Sequence, residues 1–382
     1  MTMIVVLVLV DLALGEPIVS YWGATPEENR QLSGLHPARE KGQLAGFKCL
    51  GRVLEEHPDN VSARSLRANA LIQMGRLDEA LKDLDEVTRR RPEYPGLRNN
   101  WVHYYRIKGD RSKELEARKK LIANELASNP TMAARSATVC WNRARIAELS
   151  GNMILAKKEW QAWVDGSSPQ FRAADMLHQV RFFLRQGDYE NAVAVAKAAV
   201  ELKRPEGDKG YAVLDALNWY GFSLWMSGKR TEALAPFLDA AQQPMDESRF
   251  APGALFHRRS LTVLSIRVLA ANGSDMDKLW AARHMIDLGT SASGNRPYSL
   301  ELAVLALCGE SEMKPAVDRV AKVLKQAPNL DWALWAALYL GLSGQDEAKP
   351  LLMLLPKDSI QGRIAGQKSN APTTHSSNLG RK

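Results

Sequence analysis

A glycine recurs along this chain every 34 to 45 residues, each time between two apolar, helix-compatible stretches. Gly75, Gly109, Gly151, Gly187, Gly228, Gly273, Gly309 and Gly344 are spaced by 34, 42, 36, 41, 45, 36 and 35 residues. A period in that range predicts a solenoid, in which each helix pair buries its apolar face on its neighbours. Such an array overrides the two or three domains that 382 residues would otherwise suggest, because neighbouring units share one core. Hydrophobic residues at 45% suffice for that core, and no glycine-flanked β-branched run in the body asks for a sheet. The expected class is therefore all-α, with about eight helix-turn-helix hairpins. A stack of hairpins offers a long concave surface and implies no chemistry by itself.

The clearest unit is VSARSLRANALIQMGRLDEALKDLDEVTRRRP, Val61 to Pro92. It carries Ala68 where two helices would touch, Gly75 at the turn, Ala80 early in the second helix and Pro92 after it. Small residues let antiparallel helices approach closely, and glycine accepts the positive φ that ends the first helix. The same grammar recurs with Gly187, Ala192, Ala196, Ala199 and Pro205, and again with Gly221, Gly228, Ala233, Phe237 and Ala240. On these residues the chain resembles the tetratricopeptide-repeat family, clearly near 61–92, 173–205 and 214–244. The units after Gly109, with Glu114 in place of the alanine, and after Gly151, with Trp160 and Trp163, are weaker copies. Those around Gly273 and Gly309 depart further, with Pro315 early in a second helix. The resemblance implies a right-handed superhelix and a non-catalytic protein-interaction scaffold.

Four segments follow from this pattern: residues 1–15, a capping half-repeat at 16–60, the solenoid at 61–356, and a basic tail at 357–382 expected to be disordered. Arg204–Gly210 and Gln242–Gly253 read as long loops on one edge. At the start, an apolar run from Met3 to Val10 leads through Asp11 to Ala13-Leu14-Gly15, the small residues of a secretory cleavage site, with Glu16 as a mature start. That favours an exported or membrane-associated protein. The alternative is a cytoplasmic one whose apolar segment packs on the first hairpin, since no lysine or arginine precedes the run.

Chemistry is hard to find. Cys49, Cys140 and Cys308 are far apart and odd in number, giving neither a disulfide framework nor metal spacing. His36, His57, His103, His178, His257, His284 and His375 show no paired ligand spacing, and no phosphate-binding, dinucleotide, zincin or nucleophile-elbow motif occurs. Ser311 and Lys314 form an isolated S-x-x-K without its companion motifs. The expectation is a protein that is no enzyme and needs no cofactor or metal.

In such an array the first helix of each hairpin lines the concave face, and counting back from the turn glycines selects its residues. They are Asn69; Asn99, Asn100, His103 and Arg106; Trp141, Asn142 and Arg145; His178, Arg181 and Arg185; and Asn218, Trp219, Phe222 and Trp225, with Glu148 the acidic exception. Amides pair a peptide backbone, arginines fork carboxylates and rings bury apolar side chains. The expected ligand is an extended acidic or carboxylate-ended protein segment. Asn69 and Asn100 fall where co-chaperone members of the family place two asparagines of a carboxylate clamp, although Ser65, Thr138 and Asn142 stand at its basic positions. The other outcome is that the polar residues merely solvate the face while the tryptophans pack helices.

The chain carries a net charge of +8, and eleven lysines or arginines fall between Arg89 and Lys120 against four acids. A basic repeat protein on nucleic acid or an anionic membrane is the alternative function. No nucleic-acid motif or interleaved aromatics support it, and membrane contact would come only through the N-terminal segment.

Overall fold

Gly75, Gly109, Gly151, Gly187 and Gly228 all have φ between 75° and 87°, a left-handed conformation that costs any residue with a Cβ. At each of the five, the amide of the residue after the glycine reaches back to a carbonyl near the helix end. The bonds run from Arg76 to Leu71, Asp110 to Tyr105, Asn152 to Ala147, Asp188 to Phe183 and Lys229 to Leu224, at 2.9–3.0 Å. This closure satisfies carbonyls the helix leaves unpaired. The residue after the glycine can then open the next helix: the side chains of Asp110, Asn152 and Asp188 accept from the backbone amides of Lys113, Leu155 and Asn191. One short sequence thus ends one helix and starts another.

The computed structural model describes residues 7–9, 18–20, 23–35, 43–128, 137–202, 211–242, 313–342 and 346–369. Gly273, Gly309, Gly344, Cys308, His36, His257, His284, His375, Ser311, the Ala13–Gly15 site and most of both long loops lie outside them. Two three-residue strands, β1 (Leu7–Leu9) and β2 (Ile18–Ser20), pair antiparallel, with Val8 opposite Val19. This ribbon, flanking the expected cleavage site, is the one departure from an all-helical chain among the described residues.

The helices follow in order: α1 (Pro26–Gln31), α2 (Gln43–Glu56), α3 (Val61–Gln73), α4 (Leu77–Arg90), α5 (Pro95–Lys108) and α6 (Arg111–Ser128). Then come α7 (Ala137–Leu149), α8 (Met153–Asp165), α9 (Pro169–Gln186), α10 (Tyr189–Glu201), α11 (Tyr211–Met226) and α12 (Arg230–Gln242). From α3 onward these make five consecutive hairpins. After residues 243–312 come α13 (Met313–Gln326), α14 (Asp331–Leu342), a 3-10 helix (Asp346–Leu354) and α15 (Ile360–Ser369). Pro315 falls in the first turn of α13, where a missing N–H is harmless. No helix among the described residues is long and apolar enough to cross a membrane.

Small residues sit at the hairpin crossings as expected. Ala68, Ala80, Ala144, Ala156, Ala192, Ala196 and Ala233 are fully buried. Gly221 on α11 lies so close to the Phe237 ring of α12 that a Cβ there would overlap it. The N-terminal end is capped by charge as well as apolar packing. Thr25 and Glu28 form a capping box on α1, and the Glu28 carboxylate also accepts from the amides of Val61 and Ser62 at the start of α3 and from Arg91 at 2.6 Å. Burial would raise that acid, but Arg91 and the amides outweigh it and hold it below its ordinary value.

The C-terminal block changes the architecture. Rather than only extending the stack, it folds back onto the turns of the first hairpins. Leu330 and Val323 pack against Gly75 and Pro328 against Gly109. Asn329 donates from its backbone to the Ile107 carbonyl at 3.2 Å and from its side chain to that of Arg106 at 3.0 Å, meeting acceptors at the end of α5. Further on, Arg363 lies against Gly187 and Asp358 pairs with Arg111 at 3.3 Å. One apolar core runs from α3 through α12 into this block.

The tail expected to be disordered from residue 357 is helical over Ile360–Ser369, with Ile360 and Ile364 buried. Two isoleucines four apart give even a polar helix one apolar contact line, which is why its average composition misled. Residues 370–382 lie outside the described ones.

Candidate interaction surface

The first helices of successive hairpins, α3, α5, α7, α9 and α11, bring the expected concave residues into one row, but with different surroundings along it. At the N-terminal end the asparagines are spent between helices. Asn69 donates to the Asn100 side chain at 3.0 Å and accepts from Gln73, while buried Asn100 donates to the Ser65 carbonyl and hydroxyl at 2.9 and 3.0 Å. These amides bridge α3 to α5. In this arrangement they are not the free pair a carboxylate clamp would present.

The middle of the row is a chain of charges. Glu114 on α6 accepts from buried Arg118 at 2.7 and 2.9 Å, and Arg118 also donates to Asn142 at 2.6 Å while its guanidinium lies over Trp141. Arg145 bridges onward, 3.6 Å from Glu114 and 2.5 Å from Glu148, and Arg185 meets the same Glu148 at 2.8 Å. Burial opposes the charge on Glu148, yet Arg185 and Arg145 prevail and bring its carboxyl down to about 2. For Arg118 burial wins, and its guanidinium falls to about 10. Arg145 is the opposite case: burial would lower it, but Glu148 and Glu114 raise it.

Arg106 and Arg181 stand apart from this balance. Each is half-buried, and among the described residues neither makes an ion pair and neither Nε has a hydrogen-bond partner. Arg106 reaches only the His103 ring, 3.4 Å from Nε2, and Arg181 lies over Trp219 at 4.9 Å. An arginine is always a donor, so His103 Nε2 must be the acceptor and its ring neutral. Burial, with Arg106 and Arg118 nearby, lowers His103 to about 3. Burial and Arg181 likewise lower His178 well below its usual value, where it stacks on Trp160 and lies tilted against Trp163.

At the far end the row is closed. Asn218, Trp219, Phe222 and Trp225 are all buried, and Trp335 of α14 packs on Trp219 at 6.3 Å and Phe222 at 5.8 Å between ring centroids. These rings are core. Arg145 and Arg181, placed on the concave face by their spacing, are mostly buried rather than open to water, and Arg145 is tied to two carboxylates.

Sequence reasoning missed Arg118 as a participant and read Glu114 only as a departure from alanine. A glutamate at a position otherwise small, with arginine four residues on, was the available signal of a buried pair. The basic run from Arg89 to Lys120 is largely neutralised: Arg89 and Arg90 pair with Glu86, Arg91 with Glu28, Arg111 with Asp358, Lys113 with Asp110 and Lys120 with Glu116. Among the described residues no cluster of three His, Cys, Asp or Glu side chains gathers as a metal ion would require.

Two segments, residues 47–98 and 177–252, match tetratricopeptide-repeat family profiles. Among solved structures, the chain is similar to a tetratricopeptide repeat protein from Parabacteroides merdae, at 14% identity and a TM-score of 0.42, covering 68% of this chain and all of that one. It is also similar to the TPR domain of P58(IPK), at 17% identity and a TM-score of 0.23, covering 90% of this chain and all of that one. No curated protein matches the chain in sequence.

Proposed function

The chain is a tetratricopeptide-repeat protein, and from that premise we propose that it is a non-catalytic scaffold holding an extended acidic segment of a partner protein. The observation that carries this reading is the charge of the half-buried row on three successive first helices. Arg106, Arg145, Arg181 and Arg185 stand there against two acids on the same helices, Glu148 and Asp175, the latter in the first half of α9 and bound to Ser167. A peptide laid across α5, α7 and α9 would meet guanidinium forks suited to carboxylates, in surroundings where partial burial strengthens each charge. The rings of α11 are not part of this surface, because α14 covers them.

A peptide array probed with the full chain tests the reading. Acidic extended peptides should be retained, and neutral or basic peptides of the same length should not. Arg106→Gln and Arg181→Gln are the informative variants, since neither breaks an ion pair, and each should weaken retention about tenfold or more. Retention of basic peptides, or indifference to both variants, would remove the acidic-segment reading. The salt-sensitive alternative, nucleic acid, has its own readout in a mobility shift. As part of the same reading we propose export, for which N-terminal sequencing of protein from its natural host should find a start at or near Glu16.

A further inference from the structure

We propose that the third turn of the solenoid, with Ile154 and Leu155 at its tip and Lys157 and Lys158 behind them, docks on an anionic lipid surface. It uses none of the arginines of the concave row and does not rest on the acidic-peptide reading.

The five hairpins serve as controls for one another. Four of their second helices carry an acid in the first turn, Asp78 and Glu79 in α4, Glu114 in α6, Glu190 in α10 and Glu232 in α12, where the unpaired amides favour one. The first turn of α8 has none. Three and four residues past the turn glycine it has Ile154 and Leu155, where the others have Asp78-Glu79, Ser112-Lys113, Glu190-Asn191 and Thr231-Glu232. Ile154 is 88% exposed and Leu155 41%.

The C-terminal block does not relieve this exposure. It touches the turns at Gly75, Gly109 and Gly187, yet among the described residues nothing comes within 4 Å of where a Cβ on Gly151 would stand. Lys157 and Lys158 follow Ile154 at spacings of three and four, which puts them on the same helix face, about 5 Å along the axis. Both are exposed. Arg111 and Lys113 on the preceding turn pair with Asp358 and Asp110, but among the described residues Lys157 and Lys158 make no ion pair.

An apolar tip with cations one turn behind it matches the edge of a bilayer. There aliphatic side chains sink about 5–10 Å into the headgroup and acyl boundary, and lysine stems carry their charge back to anionic headgroups. A protein partner fits this surface less well, because an isoleucine and part of a leucine fall far short of the roughly 800 Å² that each side buries in a stable complex. The chain's net charge of +8 favours approach to an anionic surface as well.

Co-sedimentation of the full chain with phosphatidylcholine vesicles, with and without phosphatidylglycerol, tests the proposal. Retention should appear with the anionic lipid and fall as salt rises. Ile154→Asp puts an acid where a helix start favours one and so spares the fold; it should weaken retention about tenfold or more. Lys157→Glu combined with Lys158→Glu should weaken it by about as much. If a variant fails to fold by circular dichroism, amide exchange in the unaltered chain still decides, since it should slow over residues 151–158 on anionic vesicles. Equal retention on neutral vesicles, or none on either, overturns the proposal. So does retention unchanged by all these substitutions, which would assign it to the apolar run from Met3 to Val10. An Ile154→Asp variant that alters the oligomeric state in the absence of lipid and leaves vesicle binding intact would make the tip a contact between copies, and the lipid proposal would fall.

Discussion

Two stretches of one concave row meet opposite fates. On α5, α7 and α9 the inward arginines and histidines stay partly exposed, whereas on α11 Trp219, Phe222 and Trp225 are buried, the first two against Trp335. Their places in the repeat are equivalent, so the repeat does not decide which part of the face stays open. The side chains do. Three large rings on neighbouring turns expose enough apolar area to favour a cover, and α14 supplies one with Ala333, Trp335, Ala336, Ala337, Leu338 and Leu340 all buried. Arginines hold water and counter-ions instead, and an apolar helix laid on them would strip both away.

The comparison can be broken at either end. Replacing the cover's anchor should have the largest effect: Trp335→Ala removes a buried ring and should cost about 3–5 kcal/mol in urea unfolding, while acidic ligands still bind at the basic stretch. If binding is lost in a variant that remains folded, the two stretches are not separable. Next comes the middle of the charge chain. Glu148→Gln leaves Arg145 and Arg185 without their shared carboxylate, and a cost of about 2–4 kcal/mol is expected by the same measurement. An effect below about 1 kcal/mol would mean that the two arginines find other partners.

Acid should act on the basic stretch before it acts on the aromatic one. His103 at about 3 and His178 well below its ordinary value are both neutral in the folded protein, whereas in the unfolded chain they titrate near 6.5. Below that value the unfolded state binds more protons, so stability is fully present above about pH 6.5 and is lost as pH falls toward 3. Between pH 6 and 5 each histidine should withdraw about 1 kcal/mol. Glu148, already down to about 2, adds nothing until pH falls below its ordinary range near 4.5. Melting curves at pH 7, 6 and 5 read this slope, and its persistence in a His103→Gln, His178→Gln double variant would assign it elsewhere. The smallest effect belongs to the outer surface: charge reversal at Arg89 and Arg90, both beside Glu86 on α4, should leave the melting temperature and anion binding where they were.

What the sequence determined by itself was local. Glycine's access to positive φ fixes each turn and alanine's size each crossing, and both act over a few residues, so the five hairpins among the described residues and their phase could be read from spacing alone. The row of inward residues followed from the same counting, through the period of the helix. Burial along that row did not, because it depends on residues far away in the chain. Trp335 reaches Trp219 and Asn329 reaches the end of α5, and no periodicity records such contacts. Pairing was hidden for the same reason: Arg145 and Arg185 look alike to Arg106 and Arg181 in sequence, and only the position of Glu148 separates the matched from the unmatched. Repetition encodes a stack; which of its surfaces stays in water is settled by the long-range packing of side chains that do not repeat.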